Sequence, residues 1–518
     1  MDVPFILGTM ARRGLLKPGR PTAVGRQLNA LRRYGFGLGG ELRSTAARHP
    51  DRVAVVDEGG SRTYHQLLRR TERLAGALRA TVGLGAQPQR VDRLGILCRN
   101  HSGMVEAMVA ASMLGVDAVL VNTGTSASQL ASIAAEQRLR ALVYDHEFAG
   151  HVAPLPAAIT RISEERLAEL VWQADNRTLD RPARDGRTIV LTSGTTGAPK
   201  GAQRPAPNGF ASLAAIVSRI PMHVGDRVLI AAPIFHTWGY AGLQLSIAMA
   251  DTIVLQRRFD PAEALDAVQD NGCEVMFAVP VMLQRILEIP VRRTRLRIVA
   301  VSGSALRGGL ATRFQDAYGE VLYNLYGSTE VSWASIATPE ELRRNPATAG
   351  RPPRGTRVAI VDAHGQELPA GHVGRIFVGN DMLFDGYTNG SARGVHDGLL
   401  DTGDLGHLDA DGLLQVDGRA DDMVISGGEN VFPSQVEEVL AGLPQVREVV
   451  AVGVDDEEFG QRLVVWIALH HGERLDADAV KEYVRARLAR FAVPREVRFV
   501  EALPRNATGK VVPRLLPW

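Results

Sequence analysis

The stretch "TSGTTGAPKG", residues 192–201, packs hydroxyls and glycines directly behind the apolar residues 189–191. Glycines let a backbone approach a ligand closely, and successive amides with hydroxyls form a nest for anions. Lys200 adds a mobile positive charge. Together they fit polyphosphate binding better than a polar surface turn, and their spacing does not choose among NTPase, kinase and nucleotidyl transfer. A Walker loop fails in detail: it needs glycine-lysine-serine/threonine opening a helix, whereas Lys200 follows Pro199 and precedes Gly201. In "YGSTE" (326–330), Tyr326 can stack on a base, Thr329 can touch phosphate and Glu330 can hold magnesium, a hard cation suited to carboxylates. A strand-end turn with a solvated glutamate fits it equally. "DGLLDTGDLG" (397–406) sets three aspartates among glycines, either as an acceptor for both hydroxyls of a ribose or as a pair of tight turns. "RNATGK" (505–510) reads as a loop carrying Lys510, which taken alone is an ordinary solubilising charge.

These residues need elements to deliver them. "DRVAVVDEGGSRTYHQLLRRTERLAGAL" reads as strand, glycine turn, strand, then an amphipathic helix from about Tyr64. "DRLGILC" (92–98) reads as an apolar strand, followed by candidate caps Asn100 and Ser102 and a helix ending at Gly115. Strand-like runs at 117–122, 141–145, 274–280, 296–303 and 321–327 continue the alternation, which predicts parallel sheets covered by helices. From Gly350 the texture turns to glycine turns and short alternating strands, an antiparallel or barrel-like pattern. A boundary is expected within 416–430, with a small α+β domain beyond it.

Composition bounds the class. At 518 residues the chain exceeds one core, so at least two domains are expected. Hydrophobic residues at 45% and charged residues at 22% describe a globular chain, not a disordered or fibrous one. Lys+Arg 59 against Asp+Glu 57, with no recognition module, argues against a nucleic-acid partner. Two cysteines, Cys98 and Cys273, build no disulfide framework and predict a reduced, cytoplasmic setting. No stretch reaches the roughly 20 apolar residues of a membrane span. The opening apolar run precedes Arg12 and Arg13, the reverse of a signal peptide. Residues 1–40 hold many arginines against Asp2 alone, which predicts a basic arm on the protein's own surface, with peripheral membrane contact as the alternative.

Taken in order, "TSGTTGAPKG", "YGSTE", "DTGDLG", "GRADD" and "ATGK" resemble the adenylate-forming enzymes: acyl-CoA synthetases, luciferases and peptide-synthetase adenylation domains. Within that group the chain is most similar to bacterial fatty-acid–CoA ligases, from about Thr45 to Val511. The resemblance implies an acyl-CoA synthetase-like fold. A large α/β domain of parallel sheets flanked by helices, with a small β-barrel-like subdomain, would be the AMP-binding domain at 41–417, behind the arm at 1–40. A mobile α+β C-terminal domain would occupy 418–518, hinged at about 419–422. It also implies two half-reactions. A carboxylate attacks the α-phosphorus of ATP with magnesium, giving acyl-adenylate and pyrophosphate; the thiol of coenzyme A then displaces AMP. A carrier-protein thiol is the less favoured acceptor, since no extra insertion of that subgroup is evident.

By motif position, the resemblance implies that Thr192, Ser193, Thr195, Thr196 and Lys200 grip the β- and γ-phosphates, with Gly194 and Gly197 enabling the wrap. Gly303, Ser304 and Ala305 would line the adenine and acyl pocket beside Asn324, Tyr326 and Gly327. Thr329 would contact the α-phosphate, Glu330 would coordinate magnesium, and Asp404 with Arg419 would clamp the ribose. Asp421 holds the hinge position. Lys510 would stabilise charge at the forming acyl-phosphate bond, which requires its domain to close over the site. Gly427 and Gly428, in "SGGENVFP", would let the pantetheine arm pass in the second step. In "APIFHTWGY" (232–240), His236 would sit near the reacting carboxylate, and Trp238 or Tyr240 would gate the acyl tunnel; a buried, satisfied histidine is the other reading. Arg307 departs from the proline common in relatives. No charged residue lies from His236 to Ala250, which predicts aliphatic walls and a medium- or long-chain fatty acid. An aryl or specialised acid is the alternative.

Overall fold

Short apolar runs between amphipathic stretches become the inner strands of two parallel sheets. The computed structural model describes residues 2–17, 20–87, 89–174, 179–192, 200–426, 429–456, 460–506 and 509–518. In the first sheet Leu322–Tyr326, Ile298–Ser302, Val275–Ala278, Arg227–Ile230, Thr252–Leu255 and Val53–Asp57 lie side by side in parallel. Ser335–Ala337 and Gly60–Thr63 close its two edges antiparallel. The second sheet sets Thr160–Ser163, Ala141–Tyr144, Arg93–Leu97, Asp117–Leu120 and Thr188–Thr192 in parallel, with Lys200–Arg204 antiparallel at one edge. Strands such as Val275–Ala278 and Ile298–Ser302 are buried at every position, as helices on both faces require.

Local signals start and stop the helices. Thr63 and Gln66 form a capping box at the head of Tyr64–Val82, and Gly83 ends it in the left-handed region. The helix Ser102–Leu114 is capped by His101, not by Asn100 or Ser102: His101 Nδ1 accepts the Gly103 N–H at 3.1 Å while Nε2 meets Asp145 at 2.8 Å. Asn100 has a different use. Its Nδ2 donates to the carbonyls of Ile230 (3.1 Å) and Ala232 (2.9 Å), and its Oδ1 accepts from Ile234 N–H (2.8 Å). One buried amide therefore pins the segment leading to His236 onto the neighbouring sheet.

Residues 1–40, expected as a surface arm, fold into the helices Val3–Arg12 and Pro21–Tyr34. Pro21 pre-sets the first turn of the second, and Gly35 follows its end. They pack against Ala211–Arg219 and Leu38–Arg48. Part of the basic charge is used inside the fold, where Arg13 donates to Val217 O at 2.9 Å; Leu15 O in turn accepts from Arg48 on the next helix at 2.9 Å. Among the described residues no helix is long and apolar enough to cross a membrane.

Past Gly350 the texture change is borne out. Arg357–Val361, Gly374–Gly379, Leu399–Leu408 and Leu414–Arg419 form an antiparallel sheet, with Val395–His396 beside it. A last sheet of Glu429–Val431, Val424–Ser426, Gly460–Leu469, Val446–Asp456 and Glu496–Phe499 carries the helices Pro433–Ala441 and Ala477–Arg485 and has its own apolar core. The chain is thus a large α/β domain followed by a small α+β domain.

Candidate active site

Parallel strands end on one side, and ligands of such sheets bind beyond their carboxyl ends. His236, Val279, Gly303 and Tyr326 lie at or just beyond four such ends, and all line one cleft of about 2040 Å³. Single small-molecule pockets run to roughly 300–1,000 Å³, so this cleft has room for two ligands.

On one side the ends of the glycine-rich loop meet the sheet edge. Thr192 pairs with Lys200 across the antiparallel strands, and the Thr192 hydroxyl donates to Lys200 O at 3.2 Å. Ser193, Gly194, Thr195, Thr196 and Gly197 lie outside the described residues, as do Gly427 and Gly428. Strand register sets Asp404 opposite Arg419. Their charges stand 3.5 Å apart, and the Tyr326 hydroxyl donates to Asp404 Oδ2 at 2.5 Å. Burial, with the Asp404 charge against it, pushes the Tyr326 phenol well up. Burial also raises the Asp404 carboxyl, against the pull of Tyr326 and Arg419. Gly303, Ser304, Ala305, Asn324 and Gly327 line the same part of the cleft. A side chain at 327 would press within 2.4 Å of Ser332 O, so this turn needs glycine to fold back on itself.

That turn presents Thr329 and Glu330. The Thr329 hydroxyl shares a 2.9 Å hydrogen bond with Thr237 at the head of the helix Thr237–Ala248. Beneath it lies Arg204, a buried residue that sequence reasoning missed. Its guanidinium donates to Thr329 O (3.1 Å) and the Ser332 hydroxyl (2.9 Å). Tyr387 and Arg393 were missed too. The Tyr387 hydroxyl donates to Glu330 Oε1 at 2.6 Å, and Arg393 stands 3.9 Å from that same oxygen. Burial and the bond to Glu330 push the Tyr387 phenol up to about 12. Lys200 lies over the Tyr387 ring at 5.6 Å, a cation–π contact that links the loop's exit to Glu330.

On the other side stand His236 and the helix it precedes. Burial, with the Lys510 charge beside it, pushes the His236 imidazole down to about 4. The ring is therefore neutral at physiological pH. Trp238 lines the cleft while its indole N–H donates to Ala278 O at 3.0 Å and its ring packs on Phe277. Tyr240 does not line it: the phenol is buried and accepts from the Thr188 hydroxyl at 3.1 Å. The wall expected from residues 236–250 is real but partial. Leu15, Leu31 and Phe36 from the N-terminal segment line the cavity too, as does Glu41 on the helix Leu38–Arg48.

The small domain completes the enclosure. Lys510 lines the cleft; its side chain is open to the water there but surrounded by protein. That enclosure lowers the ammonium pKa, Arg419 adding to the effect and Asp404 and Glu330 opposing it. Lys510 N–H donates to Asn506 Oδ1 at 3.0 Å, and Arg505 binds Glu448 at 2.9 Å. A side chain on Gly509 would meet Val281 at 2.4 Å, so glycine lets this loop seat on the large domain. Arg307, the departure noted in sequence, pairs with Glu437 on the small-domain helix Pro433–Ala441. Glu437 is itself held by Ala451 N–H at 2.9 Å, and Gly308 N–H donates to Glu438 at 3.2 Å. Asp421 lines the cleft in the segment between the domains, 3.3 Å from Arg419.

Comparison with known proteins agrees with this geometry. The AMP-binding enzyme profile matches residues 42–388, and the AMP-binding enzyme C-terminal domain matches 435–510. A feruloyl-CoA synthase of Amycolatopsis is 31% identical, covering 92% of this chain and 97% of its own. A fatty acid–[acyl-carrier-protein] ligase of Streptomyces coeruleorubidus is 30% identical over 91% of this chain and 94% of its own. The o-succinylbenzoate CoA synthetase of Bacillus subtilis, solved with its acyl-adenylate intermediate, superposes with a TM-score of 0.81 at 29% identity, covering 92% and 97%.

Proposed function

Because the chain belongs to the AMP-binding enzyme family, we propose that it joins a carboxylic acid to the thiol of coenzyme A through an acyl-adenylate. ATP, magnesium and coenzyme A are its co-substrates and cofactor. The observation that carries the reading is the meeting of Lys510 with His236, Asp404 and Glu330 in one cleft.

In the first step a carboxylate oxygen attacks the α-phosphorus of ATP and the bond to pyrophosphate breaks. Negative charge gathers on the oxygens in flight, and the Lys510 ammonium is the charge placed to meet it. Thr192, Lys200 and the loop between them, Thr196 included, hold the departing pyrophosphate. Asp404 and Arg419 take the ribose, while Gly303, Ser304, Ala305, Asn324 and Tyr326 face the base. Thr329 touches the α-phosphate. Glu330 fits a hard cation: it lines the cleft with only Oε1 engaged among the described residues. Magnesium held there would neutralise phosphate charge. Neutral His236 walls and orients the acid and moves no proton. In the second step the thiol sulfur attacks the adenylate carbonyl carbon, AMP leaves, and the thiol proton passes to solvent. Asp421 serves as the hinge between the steps, and Gly427 and Gly428 line the thiol's path.

The acid is a medium- or long-chain aliphatic one, a reading supported by the apolar wall of Leu31, Phe36, Leu213, Ile216 and Leu245. An aryl acid is the alternative, favoured by the likeness to a feruloyl-CoA synthase. Transfer to a carrier thiol draws support from the likeness to a carrier-protein ligase. Buried, free Cys98 and Cys273 suit a cytoplasmic setting. The test is coenzyme A-dependent AMP release across acids of four to eighteen carbons plus aryl acids, with a phosphopantetheinylated carrier as rival acceptor. Turnover on the longer aliphatic acids with coenzyme A is expected. An aryl-only profile would overturn the aliphatic reading, and no AMP from any acid would overturn the ligase.

A further inference from the structure

Glu41 differs from the cleft's other buried carboxylates, since Glu330 is bonded to Tyr387 and Glu437 is paired with Arg307. It lies on the helix Leu38–Arg48, is only 7% exposed, and lines the cleft beside Ser44. Its Oε2 is buried without a hydrogen-bond partner among the described residues. Other buried carboxylates of this chain are paired: Glu72 with Arg43, Glu106 with Arg70, and Glu341 with Arg219. Asp251 also has an unpartnered oxygen, but its Oδ1 takes the Gly225 N–H and it lies outside the cavity. The titratable group that feels Glu41 is Tyr240, whose hydroxyl is already engaged with Thr188. Leaving a buried carboxyl oxygen unpaired costs stability. Such a group is explained when a ligand completes it.

We propose that Glu41 is a specificity-determining residue of the acyl pocket, accepting a hydrogen bond from a hydroxyl or amino group on the body of the acid. Preferred substrates are then donor-bearing acids, not plain hydrocarbons. The inference rests on the reading that this cavity takes the acid. It keeps the apolar wall, because Leu31, Phe36 and Leu245 still contact the rest of the chain. Burial pushes the Glu41 carboxyl well up. A hydroxyl satisfies a neutral or an ionised carboxyl, whereas an ammonium requires it ionised, so the two donors separate by pH. Sites built to bond a substrate hydroxyl reject analogues lacking it far more strongly than apolar pockets reject a missing methylene.

The experiment compares kcat/KM for matched acids: aryl and alkyl chains bearing hydroxyl, amino or hydrogen at successive positions. Wild type, Glu41→Gln and Glu41→Leu are assayed alike. In the wild type at least one donor position should gain about tenfold or more over the plain acid. The gain should collapse or invert in Glu41→Leu. Glu41→Gln, which retains a carbonyl, should keep part of the hydroxyl preference and lose the amino one. Thermal unfolding gives a readout without substrate: Glu41→Leu should melt no lower than wild type, because it removes an unpaired buried polar group. A donor preference that is absent in the wild type, or unchanged in Glu41→Leu, overturns the proposal. Turnover of no acid at all would instead overturn the ligase reading on which it rests.

Discussion

Lys510→Ala is expected to slow acyl-adenylate formation by about 10²–10³-fold, the scale on which one preorganised charge at a developing oxyanion acts. Thioester formation from pre-made acyl-adenylate should change far less, because the lysine's charge is needed only while the phosphorus bond is made. The substitution keeps the described contacts at this position, because they use the backbone atoms of residue 510: its N–H donates to Asn506 Oδ1 and its carbonyl accepts from Asn506 N–H, while Arg505 stays tied to Glu448. Pyrophosphate release measures the first step and thioester formation from synthetic adenylate the second. Equal losses in both would remove the assigned role. Lys510→Arg keeps a positive charge but replaces a compact ammonium with a rigid fork, so partial recovery of the first step is the matching result.

Glu330→Gln should slow the same step by about 10²-fold or more and raise the magnesium concentration needed for half-maximal rate. Glutamine still accepts from Tyr387, so the 2.6 Å hydrogen bond can survive while the charge is lost. Arg393, 3.9 Å from the carboxylate, would then face phosphate without its counter-ion. Tyr387→Phe does the reverse, keeping the charge and deleting the bond, and its cost should be nearer tenfold, the value of a lost hydrogen bond to a charged group. Rates measured against free magnesium separate the two. Excess magnesium should partly rescue Glu330→Gln and leave Lys510→Ala unchanged. An unaltered magnesium dependence in Glu330→Gln would remove the metal role.

The alternation of apolar and amphipathic runs was legible because period and turn chemistry are local. Gly83 and Gly115 end helices where their left-handed conformation is needed. The "YGSTE" and "DTGDLG" segments were legible as site material because each carries its chemistry within a few residues at a strand end. What escaped were partners brought from afar. Tyr387 and Arg393 reach Glu330 across more than fifty positions, and Asn100 reaches Ile230 across 130. No spacing rule connects them. The N-terminal helices were missed for a different reason. Pro21 and Gly35 mark the ends of one, but the segment's arginines drew the reading toward a surface arm, although Arg13 donates to a carbonyl of the folded chain. Glu41 escaped for another reason: a pocket judged only from residues 236–250 contains no charge.

Arg307 has a consequence for how the protein behaves in different buffers. Its bond to Glu437 joins the two domains through opposite charges, and the arginine is 39% exposed. Dissolved ions screen exposed charges that stand more than about 10 Å apart at 0.1 M salt, whereas this pair is in contact and Glu437 is only 5% exposed. The pair therefore keeps its hold between the domains as ionic strength changes. Replacing Arg307 with alanine is expected to leave the buried Glu437 carboxylate without that partner and to slow adenylate formation more than thioester formation from pre-made adenylate, with the two rates measured separately as the readout.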